Sequence, residues 1–499
     1  MENSESVRLT IPNDLVYFDV AQLFAREMAK KIGFRGDELN EIDIAVEESV
    51  TYVITHAYDK EEDKTIDIIC RKIEGGMMII VKDMGIPFDP ARIARFDITK
   101  NPDEFEIEGL GIYLLQKVVD DLSFHNLGHL GKEIHMVKYL PQFAPQTDIG
   151  PVFQPFTGDT KIVSGKIDFE VHALRPEEAI EVSRCAYKSH GYSFFDDHIY
   201  FPERLVEMNE NLELLSAVAV TPENDFMGHA ALLFEHPEDT IAELTFFFVN
   251  VEYRGQGVLN RLVDFLLQVP KKRELTGIYG YAVANHPYSQ KSFTRIGMKD
   301  CGLLLATSPA SWKFKGISDD MSQRISVVLS FMYMTEPAPQ ILYPPVHHLD
   351  MIIKIYETLG ISNNYSKPGT AAPVFSGTDS VIYPELNDLE SCAGIYIIRY
   401  GENVIHDTRR ILRDLCVSNV SAVNMFLPLN DPLTFHLTSE FEKMGFFFAG
   451  VLPQSQSGDA LVMQYLNNVA FDYGKLVLYT DFSKEMMEYI RSYDPNENF

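Results

Sequence analysis

Two proline-rich stretches divide this chain of 499 residues and limit what it can fold into. Pro141–Pro155 and Thr335–Pro345 each contain four prolines and few periodic apolar residues. Proline interrupts both helices and sheet ladders, so the two stretches are predicted to be linkers between domains. The predicted domains are residues 1–142, 165–335 and 346–499, with residues 143–164 as the first linker.

Composition excludes several classes of protein. No apolar run reaches the ~18 residues of a membrane span, and the polar start, Met1–Thr10, is unlike a leader peptide. The five cysteines are scattered without a C-x-x-C pair, which favours reduced thiols and a cytoplasmic location. A net charge of −29 argues against a nucleic-acid partner, whose phosphates would be repelled.

A strand that ends on a carboxylate is the first candidate site. Met77–Val81 is a short apolar run of strand type, and Asp83 and Gly85 follow it in a turn. An aspartate there can accept a hydrogen bond from an exocyclic amine, and a nearby glycine lets the backbone approach a flat ring. The bland alternative is an aspartate that only caps its own turn.

Two neighbouring segments add further candidates. Glu41–Tyr58 has apolar residues at helical spacing, and its Glu48 and Tyr52 lie four residues apart on one face. Gly109 and Gly111 open another apolar helix, predicted over Leu110–Leu122, where backbone N–H groups suit phosphate. Glu48 could act as a general base or simply be a solvated carboxylate.

These three pieces, in this order, resemble the GHKL ATPases, and among them the small anti-sigma-factor serine kinases. The matching residues are His56-Ala57-Tyr58 at the helix end, Asp83, Gly85, Phe88, Asp89 and Pro90 in the turn, and Gly109-Leu110-Gly111. The resemblance implies a two-layer α/β sandwich, bound ATP or ADP, Glu48 as base, Asp83 and Gly85 at adenine, and Gly109 and Gly111 at phosphate. Tyr52 departs from the family, which has a magnesium-binding asparagine there, so kinase activity and the need for magnesium are in doubt.

The same resemblance implies partners. Anti-sigma kinases bind a sigma factor or its antagonist, and they dimerise through their first strand and helix. Ser6–Ile32 is the corresponding stretch of this chain and is therefore a predicted homodimer surface.

The middle segment contains a second glycine-rich turn. A strand-like run ends near Val251, and Arg254-Gly255-Gln256-Gly257-Val258 leads into an amphipathic helix. Glycines in such a turn can expose successive N–H groups that bind a pyrophosphate, although an ordinary turn would have the same composition.

This segment resembles the GNAT acyl-CoA transferases, with Arg254 and Gly257 on the family signature and Leu259 in place of its last Gly or Ala. The resemblance implies that residues Arg254, Gly255, Gln256, Gly257 and Val258 bind acetyl-CoA or another acyl-CoA. It also implies that Glu243 is a base acting on a small-molecule or protein amine. Where many members have a tyrosine acid, this chain has Phe293, four residues before Gly297. Tyr288 and Cys301 are weaker candidates for a proton donor, with packing as the alternative.

The third segment repeats part of the second. Phe441, Gly445 and Gly450 lie at the same offsets as Phe293, Gly297 and Gly302, which indicates a duplication. The strand Ala393–Tyr400 is followed by no glycine-rich turn, so the segment is predicted to be a degenerate GNAT-like domain that binds no CoA. His347 and His348 could bind a metal, but no neighbouring Asp, Glu or Cys supports this, and no metal site is predicted.

Together these patterns predict an α/β (α+β) chain: a two-layer GHKL (Bergerat) sandwich followed by two GNAT-like domains. The predicted function is a cytoplasmic regulatory protein that binds a nucleotide and an acyl-CoA and acts as an acetyltransferase. The alternative is a non-catalytic sensor that binds a partner protein.

Overall fold

The computed structural model divides the chain into two compact units. It describes residues 6–58, 64–88, 108–143, 167–236, 239–268, 275–312, 322–367, 375, 377–455 and 458–497. The first unit comprises Met1–Gly165 and Arg175–Val206, and the second comprises Lys166–Leu174 and Glu207–Phe499.

The first unit is built on a five-stranded antiparallel sheet with the order β1-β2-β3-β5-β4. Its strands are β1 (Ser6–Pro12), β2 (Thr65–Ile73), β3 (Gly76–Asp83), β4 (Asp121–Asn126) and β5 (Lys132–Tyr139).

Helices cover one face of this sheet and form the second layer. They are α1 (Phe18–Ile32), α2 (Asp37–His56) and α3 (Glu108–Val118). The buried alanines of α1 recur every four residues, at Ala21, Ala25 and Ala29, so one small-residue stripe packs against α2 and the sheet. The predicted two-layer sandwich is confirmed.

The helix predicted at Leu110–Leu122 is shorter than expected. It ends at Val118, and β4 begins at Asp121. Asp120 makes the break because its N–H donates to Val137 O at 2.8 Å and its carboxylate accepts the Tyr139 N–H at 2.6 Å. These are sheet contacts, and the helical pattern did not reveal them.

Residues beyond the first linker also belong to the first unit. α4 (Ala179–His190) and a 3₁₀ turn at Asp197–Tyr200 lie there, and α5 (Pro202–Glu210) begins there. We call residues 175–206 the returning segment.

The second unit is organised around one twelve-stranded sheet, of order β15-β16-β17-β19-β18-β11-β12-β10-β9-β8-β7-β6. Its first seven strands are β6 (Glu170–Ala173), β7 (Leu214–Val220), β8 (Phe226–Leu233), β9 (Ile241–Val249), β10 (Gly277–Val283), β11 (Lys299–Ser308) and β12 (Ile325–Tyr333). Two helices accompany them, α6 (Val258–Leu266) and α7 (Tyr288–Arg295).

The rest of the sheet is formed by β15 (Val381–Asn387), β16 (Cys392–Arg399), β17 (Ala422–Pro428), β18 (Phe447–Ser455) and β19 (Gly458–Leu466). β13 (Ile341–Leu342) and β14 (Asn364–Tyr365) form a separate two-stranded sheet. The helices are α8 (Leu349–Leu359), α9 (Val404–Val417), α10 (Pro432–Glu442) and α11 (Asp481–Tyr493).

The two halves of the large sheet meet at a glycine seam. β11 and β18 pair at Gly302 and Gly450, and a Cβ added to Gly450 would lie 2.3 Å from Gly302 Cα. Outward from this seam the strand orders β11-β12-β10-β9-β8 and β18-β19-β17-β16-β15 correspond. The repeated glycines of the sequence therefore have a structural role, but the degenerate-domain interpretation of residues 346–499 stays a prediction.

Two further findings concern membrane-spanning helices and disulfide bonds. None of the helices that the structure describes is both long and apolar enough to cross a bilayer. None of the five cysteines, all of which lie in the described residues, forms a disulfide bond.

Candidate functional sites

The strand-end carboxylate of Asp83 is buried, with 1% of the residue exposed. Its Oδ1 accepts the N–H of Gly85 at 2.8 Å and lies 3.6 Å from Lys132 Nζ. Its Oδ2 is buried and has no hydrogen-bond partner. An orphaned buried acceptor costs roughly 1–3 kcal/mol, so this oxygen is well suited to receive a donor from a ligand.

Charge at this site is balanced by Lys132, which lies opposite Asp83 on β5 and is 4% exposed. Burial raises the pKa of Asp83, and the nearby Lys132 ammonium and Gly85 N–H oppose this effect. Burial likewise lowers the pKa of Lys132, and Asp83 opposes that. Since the pair is close and complementary, we describe it as ionised.

The residues of the His-Ala-Tyr triplet hold the turn in place. Ala57 O accepts the N–H of Ile86 at 2.8 Å, and the Tyr58 hydroxyl accepts the N–H of Met84 at 2.8 Å. A Cβ added to Gly85 would lie 2.3 Å from Ala57 O, so no larger residue fits there without movement. The end of α2 thereby fixes the turn next to Asp83.

The predicted base and the phosphate turn lie together. A Cβ added to Gly111 would lie 2.6 Å from Glu48 Oε2, so the carboxylate is directed at the start of α3. Burial, followed by the charge of Glu47, raises the pKa of Glu48, as suits a general base. Gly109 lies in α3, whereas Asp89 and Pro90 fall outside the described residues.

The metal position of the resembled family is filled by an aromatic side chain. The Tyr52 ring stacks on His56 at 4.9 Å between centroids and meets Phe88 edge-on at 5.7 Å. Phe88 stacks in turn on Phe124 at 4.0 Å. An aromatic stack lacks the amide oxygen that magnesium would need, so the residues do not fit that ion and we derive no phosphoryl transfer.

The returning segment binds the turn that follows Asp83 directly. Tyr187 donates its hydroxyl to Met84 O at 2.9 Å, and Tyr192 donates to Gly85 O at 2.8 Å. Asp197 accepts the N–H of His129 at 2.7 Å on the neighbouring loop. Burial, aided by nearby phenols and Asp83, raises the pKa of Tyr192 far above its usual range, so its hydroxyl stays a donor.

In the second unit the other glycine-rich turn has a left-handed backbone at both glycines. Gly255 and Gly257 have φ of 81° and 79°, and α6 begins at Val258. A Cβ at Gly255 would meet nothing within 4 Å, and one at Gly257 only the Asn260 amide at 4.0 Å. The turn is open, and the first N–H groups of α6 face it without helical partners.

The side chains around the turn leave it accessible. Arg254 is exposed, and Gln256 accepts the N–H of Ile167 at 3.4 Å. Leu259, which departs from the family signature, packs against the core under α6. It therefore leaves the mouth of the turn open. A groove of about 410 Å³ lies nearby, lined by Asn260, Asp264, Leu267, Arg295 and Ile296.

Two parallel strands separate beside this turn. β9 and β10 pair only where residues 241–243 face 277–279. Beyond them, Phe246 takes a positive φ of 57°, which marks a bulge in β9. The gap between the strands is a slot in which an extended group could be held by backbone groups.

His229 supports the bulge in β9. The sequence analysis did not identify this histidine as a functional residue. Its Nδ1–H donates to Phe246 O at 2.9 Å, and its Nε2 is buried without a hydrogen-bond partner. Burial lowers the pKa of His229 to about 4, so the ring is neutral. A single histidine in an apolar strand is usually a core residue, and only the bulge contact shows its role.

Glu243, the predicted base, and Phe293, at the position where many members have a tyrosine acid, lie near the slot. Glu243 pairs with Tyr279 at the last paired position. Burial, followed by the charge of Glu243, raises the pKa of both Tyr279 and Tyr281, so both phenols remain protonated. A Cβ at Gly280 would meet the Phe293 ring edge at 2.7 Å and Leu244 O at 3.1 Å, so that edge packs against β10 at Gly280.

The fold and these sites define two classes of domain in one chain. Residues 11–138 match the family model for the histidine kinase-like ATPase domain, and residues 181–298 match the acetyltransferase (GNAT) family. The chain therefore contains a GHKL-type ATPase domain and a GNAT acetyltransferase domain, as the sequence motifs indicated. The acetyltransferase match begins within the returning segment of the first unit.

Particular relatives support the ATPase assignment. The chain is 29% identical over 156 residues to the serine-protein kinase RsbW of Bacillus cereus (strain AH820), covering 30% of this chain and 96% of that protein. The RsbW of Bacillus anthracis matches with the same identity and coverage.

Solved structures resemble the chain at lower identity. An N-acetyltransferase from Staphylococcus aureus Mu50 is 16% identical, with a TM-score of 0.28 over 34% of this chain and 99% of that one. A dodecameric spermidine N-acetyltransferase from Vibrio cholerae is 14% identical, with a TM-score of 0.28 over 34% and 95%.

Proposed function

We propose that this chain is a cytoplasmic regulatory protein that binds ATP or ADP in its ATPase domain and acyl-CoA in its acetyltransferase domain. The acetyltransferase domain transfers the acyl group to a small-molecule or protein amine. The observation that carries the proposal is the open Gly255–Gly257 turn beside the β9–β10 slot, because a long CoA needs both a pyrophosphate site and an extended channel.

Nucleotide binding is supported by Asp83. Its unpartnered Oδ2 fits an exocyclic amine, and Glu48 and Gly111 lie together where phosphates would be expected. Because Tyr52 fills the metal position, we expect weak binding with little dependence on magnesium, and no serine-kinase activity.

Acyl transfer is supported by the residues around the slot. When acyl-CoA is bound, it supplies the thioester. Glu243 takes the proton from the amine, directly or through water. Phe293 has no proton to give, but a thiolate of reference pKa about 8.5 leaves tolerably near neutrality, so transfer would be slow rather than absent.

The acyl-CoA-binding part of the proposal is tested with Gly257→Val in the full chain. We expect acetyl-CoA affinity measured by calorimetry to fall by ~30-fold or more, since charge-assisted hydrogen bonds worth about 2 kcal/mol are lost. Gly360→Val is the matched control, because Gly360 has the same φ of 79° and nothing within 4 Å of its added Cβ. Equal acetyl-CoA affinity in the parent and in Gly257→Val would show that the turn does not bind acyl-CoA.

The acyl-transfer part of the proposal is tested with two further variants and a panel of amines. Glu243→Gln should lose turnover, and Phe293→Tyr should gain it because a positioned acid contributes roughly 10²–10⁴-fold. Thermal unfolding must be measured in parallel, since Phe293 is buried and a hydroxyl there needs a partner such as Leu244 O. If acetyl-CoA binds but no variant turns over any amine, the transferase proposal is wrong.

A second function has its own support. The aromatic stack at Tyr52 disfavours phosphoryl transfer, and large apolar side chains of the first unit are exposed, at 52% for Leu15, 79% for Val16 and 61% for Leu23. A non-catalytic sensor that binds a sigma factor or its antagonist would have these features. Retention of acetyl-CoA without turnover, with capture of a purified sigma factor, would favour it.

A further inference from the structure

Two adjacent histidines and one glutamate converge in the second unit, away from the sites above. His347 and His348 lie where a 3₁₀ turn leads into α8, and Glu442 is the last residue of α10. Their Nε2 atoms lie 2.6 Å and 3.0 Å from the same atom, Glu442 Oε1. Sequence spacing could not show this, because Glu442 is distant along the chain.

Hydrogen bonds on the far side of His348 fix its tautomer. Tyr489 donates its single hydroxyl proton to the carbonyl oxygen of His347 at 3.0 Å. The same hydroxyl oxygen lies 2.7 Å from His348 Nδ1. Since the phenol proton is already used, Nδ1 must carry the proton and donate it to Tyr489.

This assignment leaves a conflict at the other ring nitrogen. In a neutral His348 with its proton on Nδ1, Nε2 presents a lone pair to the Glu442 carboxylate at 3.0 Å. Two lone pairs at that distance repel each other. Either a proton on Nε2 or a metal cation between the two atoms turns the contact into an attraction, and His348 is fully buried.

The donor set suits zinc. Two imidazoles and one carboxylate are typical zinc ligands, and three protein ligands leave a fourth position for water. The three ligand atoms lie within 4.8 Å of one another. Ligand atoms ~2.0–2.1 Å from a tetrahedral zinc lie ~3.3 Å apart, so the site needs shifts below ~1 Å.

We propose that His347 Nε2, His348 Nε2 and the Glu442 carboxylate bind a Zn²⁺ ion that joins the start of α8 to the end of α10. Tyr489, on α11, orients His348 through its Nδ1, as outer ligands of metal-bound histidines commonly do. The side chains of His347 and Glu442 are 38% and 27% exposed, so an ion can enter and keep one water.

The test uses the full chain, treated with a chelator and then desalted. Zinc chloride titrated against a chromophoric competitor should show one tight site per chain. Cobalt should give the intense visible absorption of a tetrahedral site, and magnesium should compete with neither, because imidazole ligands select transition metals.

Substitutions test whether the tight zinc site depends on the residues of the cluster. His347→Ala and Glu442→Gln should abolish the tight site, and Tyr489→Phe should weaken it ~10–100-fold, as loss of an outer partner does. His406→Ala is the matched control, because His406 is an exposed histidine next to a carboxylate, Asp407, outside the cluster. It should bind zinc like the parent.

The outcomes separate cleanly. Zinc should also raise the thermal unfolding temperature of the parent but not of His347→Ala, which gives a readout independent of any activity. If the parent shows no tight site, or if His347→Ala and Glu442→Gln retain it, the proposal is overturned and the cluster is held by hydrogen bonds alone.

Discussion

At the scale of single residues, Asp83 carries the most specific prediction. Its Oδ2 is buried without a partner, and Lys132 and Gly85 engage only Oδ1. The free oxygen can therefore accept from adenine without breaking an existing bond. Asp83→Asn should abolish nucleotide binding measured by calorimetry, whereas Asp67→Asn, on β2 beside Thr10 and Arg8, should leave it unchanged.

This site should also respond to pH. Because burial raises the pKa of Asp83, protonation begins at a higher pH than for an ordinary aspartate. Protonation of Oδ2 turns it from an acceptor into a donor that cannot bind an exocyclic amine, so nucleotide affinity should fall as pH falls through that pKa. Affinity that stays flat across the acid range in the parent would contradict the role given to Oδ2.

The motif residues of this site could be predicted, and their partners could not. Asp83, Gly85, Glu48 and Gly111 were found because chemistry and spacing lie close together in the sequence. Lys132 was missed because it faces Asp83 only through the pairing of β3 with β5. Glu442 was missed for a similar reason, since only the tertiary fold brings it to His347 and His348.

At the scale of elements, two phenols join the returning segment to the turn that follows Asp83. The double variant Tyr187→Phe and Tyr192→Phe removes the bonds to Met84 O and Gly85 O. Each bond contributes about 0.5–1.5 kcal/mol net, so the free energy of unfolding of the first unit should fall by ~1–3 kcal/mol. Hydrogen exchange at residues 84–88 should accelerate.

Tyr383→Phe is the control for that experiment, because Tyr383 is 59% exposed on β15 in the second unit. Exchange rates at 84–88 that match the parent in the double variant would mean that the phenols do not hold the turn.

The predicted bounds of helices and strands were accurate where the apolar residues recur with a strong period. They were inaccurate where tertiary contacts determine where an element ends. The helix around Glu48 and the β2–β3 hairpin were expected within a few residues of their observed bounds. The helix predicted at Leu110–Leu122 ran two residues into β4, and the short alternating run of β4, Asp121–Asn126, was not recognised as a strand. α4 was assigned to the acetyltransferase domain by sequence order, and the family match covers most of it, while its contacts group it with the first unit.

At the scale of the whole molecule, the exposed residues of α1 and the turn before it predict self-association. Val16 and Leu23 are 79% and 61% exposed, and they lie in the stretch that the family resemblance makes a homodimer surface. Val16→Asp with Leu23→Asp should convert a dimer to a monomer in sedimentation experiments. Val417→Asp, at a residue 76% exposed on α9, is the control and should leave the mass unchanged. A monomeric parent would remove the basis for this surface.

The returning segment has a consequence for how such a chain can be inherited. The acetyltransferase match begins at residue 181, yet Tyr187 and Tyr192 complete the turn of the ATPase domain. A recombination event that exchanged either domain at the proline-rich linker would separate the phenols from the carbonyls they bind. Selection is therefore expected to keep the two domains together as one heritable block, with substitutions at 84–85 and 187–192 compensating each other across descendants.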